Sequence, residues 1–185
     1  MKERPILMSA PMVRAILAGT KTQTRRVAKG EALRWLVRDG FTPGFVADPG
    51  NRLCPYGQPG DRLWVRESHW WFKDEHDPVT GYFPPPLTIE DVEYRADGEK
   101  PGRAWRPSIH MPRWASRITL EVTSVRVERL QDISEADAIS EGIPTSDVSP
   151  PDACRFAYRL LWESINGPGS WDANPFVWVV SFRRI

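Results

Sequence analysis

The sequence predicts an α+β domain, a small barrel-like sheet of about five or six strands with about three flanking helices. Three observations carry this. Apolar residues alternate at Ile118, Leu120 and Val122 and resume in the opposite parity at Val125 and Val127. A helical stripe runs through "SPPDACRFAYRLLWESING", and the terminal "NPFVWVVSFRRI" is apolar on both faces. Strands and helices do not alternate as βαβ units. The chain has 185 residues, a length that suits one domain over 1–185.

The elements follow in order. "RPILM" (4–8) reads as a short strand. "SAPMVRAILAG" then forms a compact helix, with Ser9 placed to cap it, Pro11 in its first turn and Gly19 closing it in the left-handed region. The threonines of "GTKTQTRR" (19–26) favour an extended exit. Residues 39–60 are rich in turn residues and end in "PGDRLWVRES", a strand with Leu63, Val65 and Glu67 on one face and Arg62, Trp64 and Arg66 on the other. A glutamate on an apolar face requires a cationic partner or a place at the open end of the strand.

From His69 to Arg113 the chain is rich in proline and acid, and reads as a long loop with one strand near Thr88–Arg95. The parity slip at Thr123–Ser124 in the next strand predicts a β-bulge or a corner. "ISEADAISEG" is a short helix with Ser134 and Asp137 at capping spacing and Gly142 at its stop. In the last helix Ala153, Ala157, Leu160, Leu161, Ser164 and Ile165 form the expected inner stripe.

Composition narrows the function. The net charge of +1 gives no global case for nucleic acid, but charge is unevenly distributed. Residues 11–38 hold seven Lys or Arg against Glu31, and 103–117 hold four Arg and no acid. If the two stretches meet in space they form a positive patch suited to an anion. Two cysteines, Cys54 and Cys154, and three histidines lie in no metal-ligand spacing, so neither a disulfide framework nor a metal is expected. The N-terminal stretch has no apolar run of signal type and no window approaches a membrane span, which leads to the expectation of a cytoplasmic protein with no membrane partner.

The order of "LAGTKTQTRR", "PGDRLWVRE", a long strand running into "SEADAISEGI" and a final "NPFVWVVSF" resembles the ASCH domain, a branch of the PUA-like superfamily. That resemblance implies a small PUA-like β-barrel with flanking helices. It covers most of the chain, with about 27–55 and 69–112 as insertions, and the longer form is similar to the ASCH proteins carried by bacteriophages and prophages. It also implies a nucleoside, nucleotide or RNA partner and no cofactor. One bacterial branch of the family hydrolyses 4-N-acetylcytidine to release the acyl group. Carried over residue by residue, the resemblance makes Lys21 the base, Thr24 the nucleophile and Glu141 the acid, with Glu135 a neighbouring alternative; Arg26 fills the motif's arginine position.

The chemistry stands by itself. A threonine hydroxyl attacks an amide only when a base removes its proton, and a lysine with a lowered pKa is such a base. The leaving amine needs a proton, which a carboxylic acid in an apolar setting supplies. Lys21 and Thr24 are three apart, so a regular strand would put them on opposite faces, and a turn or bulge between them is required. Glu67 has a structural reading, an ion pair with an arginine such as Arg26 or Arg117, and a functional one, a second acid or an acceptor for the exocyclic amine of cytosine. Trp64, with Trp70 and Trp71, is placed to stack a base or to fill the core, and Arg113 and Arg117 around Trp114 to clamp a phosphate or close the sheet. His110 is as well read as a loop histidine as a catalytic one.

Overall fold

A computed structural model of the chain describes residues 1–71, 87–99, 102, 104–145, 150 and 152–185. Much of the 69–112 insertion expected from the sequence therefore lies outside the described residues. The strands are β1 (Glu3–Leu7), β2 (Gln23–Val27), β3 (Arg62–Arg66), β4 (His69–Trp71), β5 (Val92–Tyr94), β6 (Thr119–Arg129) and β7 (Phe176–Arg184). The helices are α1 (Ala10–Leu17), α2 (Gly30–Val37), α3 (Pro43–Ala47), α4 (Glu135–Ser140) and α5 (Ala153–Asn166).

Five strands form one mixed sheet in the order β1-β3-β6-β7-β2, parallel at β1–β3 and antiparallel elsewhere, and β4–β5 form a separate hairpin-like pair. The architecture is α+β, as expected. No strand ladder joins the edge strands β1 and β2 among the described residues, so the expected barrel is not closed by backbone pairing. A side chain links those edges instead: Arg26 of β2 donates from its NH2 to the Leu7 carbonyl of β1 at 2.9 Å.

The two cores meet on β7. Trp178, Val180 and Phe182 face a cluster containing Ile6, Leu63, Val65, Leu120, Val13 and Ile16, while Val177 and Val179 face Tyr158, Trp162 and Leu130. Period-2 alternation places successive residues on opposite faces, which is why a strand covered on both sides reads as continuously apolar. In β6 the register shifts between Val122 and Ser124. The extra residue restores the inward direction, so Leu120 and Val122 before it and Val127 after it reach the same core, with Val125 packed against it.

Local chemistry sets the ends of the helices. Ser134 accepts from the Asp137 amide, and Asp137 returns the bond to the Ser134 amide, a reciprocal cap on α4. Gly19, at φ +76°, closes α1 as expected, but Ser9 makes no capping bond through its side chain. Two helices in the 27–55 region go beyond the sequence reading. Thr42 caps α3 by accepting from Phe45 N at 3.2 Å, and Ala32, Leu36 and Val46 bury against the main core. The face of α5 is also different from the expectation. Cys154, Tyr158 and Trp162 are buried, whereas Leu160 is 53% and Ile165 56% exposed. Both stripes have helical spacing, and the one that carries two aromatics removes more apolar area from water.

Candidate functional site

The turn after α1 brings Lys21 into contact with the end of α4. Amides of Thr20 and Lys21 both donate to the Ala15 carbonyl, and Thr22 N donates to Ser140 O. Lys21 and Glu141 then form an isolated antiparallel bridge. Gly142 permits the approach. It sits at φ +91°, and a Cβ there would lie 2.9 Å from the Ala15 Cβ and 3.1 Å from the Lys21 Cβ.

Lys21 is 2% exposed, and its Nζ donates to Gln23 O at 2.7 Å, Glu141 O at 2.8 Å and Glu141 Oε2 at 2.8 Å. Three acceptors match the three N–H bonds of an ammonium. Burial pushes the Lys21 pKa down; Glu141 opposes this, and the charges of Arg26 and Arg25 add to the lowering, so the net direction is down.

Behind the pair lies a chain of ion pairs. Arg25 NH1 contacts Glu141 Oε1 at 3.2 Å, and its NH2 reaches Glu128 Oε1 at 2.6 Å and Asp137 Oδ2 at 3.2 Å. Arg126 reaches Asp137 at 2.9 Å and Glu128 at 2.8 Å, and Gln23 donates to Asp137 Oδ1 at 3.0 Å. Three cations, Lys21, Arg25 and Arg126, thus face three carboxylates, Glu141, Glu128 and Asp137. Burial works against the Arg25 charge, but Glu141 and Glu128 outweigh it and its pKa is raised. Burial would raise Asp137 too; the Gln23 hydrogen bond and the Arg25 charge hold it well below the usual carboxylate range.

Thr24 is fully buried, and its Oγ1 accepts from Arg26 NH1 at 2.8 Å. Lys21 lies outside the regular strand, two residues before β2. The required irregularity is present, yet Lys21 Nζ and Thr24 Oγ1 share no hydrogen bond. Lys21, Gln23 and Arg25 turn to the α4 side, Thr24 and Arg26 to the side of Met8.

At this edge of the sheet a cavity of about 430 Å³ opens. One wall is Leu7, Met8, Ser9 and Met12 at the end of β1 and start of α1; the other is Tyr158, Leu161, Trp162 and Ile165 of α5. Arg25, Arg26 and Glu141 reach its lining between them. The arrangement is a mostly apolar slot that the buried Lys21–Glu141 ion pair reaches through Glu141 alone, neither Lys21 nor Thr24 lining it, and it is of a size usual for small-molecule sites.

Other residues singled out from the sequence lie elsewhere. Glu67, 2% exposed, is held by Arg117 through Nε at 2.9 Å and NH2 at 3.1 Å. Arg117 also contacts Asp97 at 2.8 Å and stacks 3.9 Å from the Tyr94 ring centre. Of the two partners considered for Glu67, Arg117 is the one present. Trp64 sits on the outer face of β3, with Arg66 at 5.3 Å and Arg113 at 5.9 Å from its ring, and Arg113 pairs with Glu3 at 3.2 Å. None of Glu67, Trp64, Arg113 or Arg117 lines the cavity. Glu135, the alternative to Glu141, accepts the Cys154 and Arg155 amides at 2.7 and 3.0 Å and so anchors the start of α5.

No protein-family model matches the chain, and no curated protein matches it in sequence. Among solved structures, a crystal structure of an ASCH domain from Lactobacillus crispatus JV V101 is similar over 94% of this chain and 69% of that one. The identity is 15% and the TM-score 0.40, a likeness too distant to argue from. The site therefore rests on its own geometry. Among the described residues no group of His, Cys, Asp and Glu is arranged to hold a metal ion, and no helix is long and apolar enough to cross a membrane.

Sequence reasoning missed the second ring of this site. From the sequence Asp137 reads only as a helix cap, Glu128 and Arg126 are not singled out, and Tyr158 and Trp162 fall outside the expected stripe of α5. The i, i+4, i+8 spacing of Cys154, Tyr158 and Trp162 is the signal that identifies that face.

Proposed function

We propose that the cavity is the active site of an amidohydrolase acting on 4-N-acylated cytosine nucleosides, with Thr24 as nucleophile, Lys21 as base and Glu141 as acid. The observation that carries this is the buried Lys21–Glu141 pair at 2.8 Å, opening through Glu141 onto a nucleoside-sized cavity. The resemblance of "GTKTQTRR" and "SEADAISEG" to the ASCH amidohydrolases supports the same roles.

One proton sets both roles. Its transfer from Lys21 Nζ to Glu141 Oε2 leaves a neutral amine and a protonated acid, the two forms the reaction uses. Burial lowers the Lys21 pKa and so favours its release of that proton. Lys21 then takes the Thr24 hydroxyl proton as the oxygen bonds to the acyl carbon, and Glu141 protonates the departing exocyclic nitrogen. Water attack on the acyl-threonine releases the carboxylic acid and restores Thr24. The Arg26 guanidinium, already bonded to Thr24 Oγ1, stabilises the developing negative charge on that oxygen. The reading requires Lys21 Nζ and Thr24 Oγ1, which turn to different sides of the chain and do not line the cavity, to be brought together and onto the slot when substrate binds.

Incubation of the purified protein with 4-N-acetylcytidine, followed by chromatography, tests this. Cytidine and acetate should appear with wild type and not with Thr24→Ala; turnover retained in Thr24→Ala removes the nucleophile assignment.

A second reading, binding of RNA without turnover, is favoured by Trp64 flanked by Arg66 and Arg113 on the outer face of the sheet. It expects affinity for single-stranded RNA that falls with added salt and falls again in Trp64→Ala.

A further inference from the structure

Helix α5 brings two donors to the cavity lining, Tyr158 and Trp162. Tyr158 is 3% and Trp162 4% exposed, and both line the slot. Among the described residues the buried indole Nε1 of Trp162 has no hydrogen-bond partner, and the Tyr158 hydroxyl, on the same face, donates to none of them. Buried polar groups are almost always paired, so the orphaned Trp162 indole, four residues from Tyr158 on one helix face, asks for an explanation.

We propose that Tyr158 O–H and Trp162 Nε1–H form a two-donor reader for the carbonyl oxygens of a neutral, planar ligand. The inference rests on taking the cavity as the ligand site of the preceding section, and it does not depend on turnover there.

Three features fit that ligand class. The Tyr158 phenol keeps its proton, because burial and the Glu141 charge raise its pKa well above 10, so it remains a donor at working pH. The Tyr158 and Trp162 rings, with centres 6.2 Å apart and planes at 42°, give the α5 wall an aromatic character against which a planar group can pack. The cations at the base of the slot are already engaged. Arg25 is held by Glu141, Glu128 and Asp137, and Arg26 donates to Thr24 Oγ1 and to the carbonyls of Arg25 and Leu7. A phosphate entering here would lose its hydration without finding a free cation, whereas a neutral carbonyl would meet two waiting donors. A nucleoside fits better than its phosphate ester on this account.

The test is equilibrium binding with cytidine, which carries a ring carbonyl and no acyl group to lose, and with 4-N-acetylcytidine on the Thr24→Val protein. Tyr158→Phe and Trp162→Phe should each weaken nucleoside binding by ~3- to 10-fold, the effect of removing one neutral hydrogen bond. Cytidine 5′-monophosphate should bind no tighter than cytidine. A readout free of any folding defect comes from unsubstituted protein labelled with ¹⁵N: the indole proton assigned to Trp162 should move downfield as cytidine is added.

Wild-type affinity in both phenylalanine variants, tighter binding of the monophosphate, an unmoved indole proton or no binding of either nucleoside each overturns the proposal. Donor-dependent binding without release of acetate sinks the hydrolase reading and leaves this one intact. Deacylation with unaltered Kd in both variants does the reverse.

Discussion

The ammonium of Lys21 donates to Glu141 Oε2 at 2.8 Å, joining residues 120 positions apart, with both side chains almost wholly removed from water. Breaking such a pair on one side leaves an uncompensated charge in the interior, at a cost of about 3–5 kcal/mol. Glu141→Gln should lower stability by roughly that amount. Lys21→Met combined with Glu141→Gln should recover part of it, because no charge is then stranded. Urea denaturation of the two variants measures the difference, and equal stability of the single and double variants would show the pair to be uncoupled.

Thr24 separates a structural from a chemical role more sharply. It is fully buried, and Thr24→Val keeps its shape while removing one acceptor from Arg26. The expected loss of stability is about 1–2 kcal/mol. The expected loss of kcat for deacylation is ~10³-fold or more, since no other oxygen replaces the nucleophile. A small change in kcat with normal folding would leave Thr24 as packing alone.

Much of the fold was legible because local rules and tertiary structure agree. The parity slip at Thr123–Ser124 marks a bulge in the structure because only a two-for-one insertion keeps Leu120, Val122 and Val127 in one core. Ser134 and Asp137 form the cap that their spacing suggests. Where two patterns overlapped, the sequence could not decide. Leu160 and Ile165 lie on a helical stripe as good as that of Tyr158 and Trp162, and only the packing of Trp171 against Tyr158, with ring centres 6.4 Å apart, selects the aromatic one. The site was legible in part. Glu141 was placed through the resemblance, but its bridge to Lys21 depends on Gly142 and Ala15 touching across the chain, a contact with no local signature.

That contact makes its own prediction. Gly142→Ala places a methyl group 2.9 Å from the Ala15 Cβ at a backbone angle of +91° that side chains rarely adopt. The combined strain should cost about 2 kcal/mol or more. Since relief comes by moving the Lys21–Glu141 bridge, deacylation should fall further than the folded fraction does. Activity that scales only with folded protein, read by circular dichroism alongside turnover, would show that the bridge tolerates displacement.

Acid should unfold the protein through two depressed aspartates. Burial alone would raise Asp61, but the Lys2 amide at 2.7 Å, Arg4 at 3.0 Å and the Gln58 amide at 3.3 Å hold it below its ordinary 3.8. Asp137 is depressed further. A carboxyl with a lowered folded pKa binds its proton first in the unfolded chain, so its stabilisation is present above pH 3.8 and is lost as pH falls through the folded value. Stability should therefore drop steeply below about pH 4, and Asp61→Asn should flatten that slope. A slope unchanged in Asp61→Asn would assign the acid sensitivity to other groups.

Glu67 and Arg117 provide the control, a buried pair outside the cavity lining. Both oxygens of Glu67 are occupied by one guanidinium, at 2.9 and 3.1 Å, and neither residue lines the cavity. Arg117→Met should thus cost about 3 kcal/mol at neutral pH while leaving KM for the nucleoside unchanged in the folded fraction. The pH dependence adds a sign. Burial raises the Glu67 pKa above 4.5, and Arg117 opposes that rise. A raised carboxyl stabilises the folded state below its unfolded pKa and loses that contribution as pH climbs through the folded value. Removing Arg117 raises Glu67 further, so the variant recovers on acidification, and its deficit against wild type should narrow between neutral pH and about 4.5. A deficit that is constant across that range, or a KM that rises with Arg117→Met, would instead put the pair in contact with the ligand.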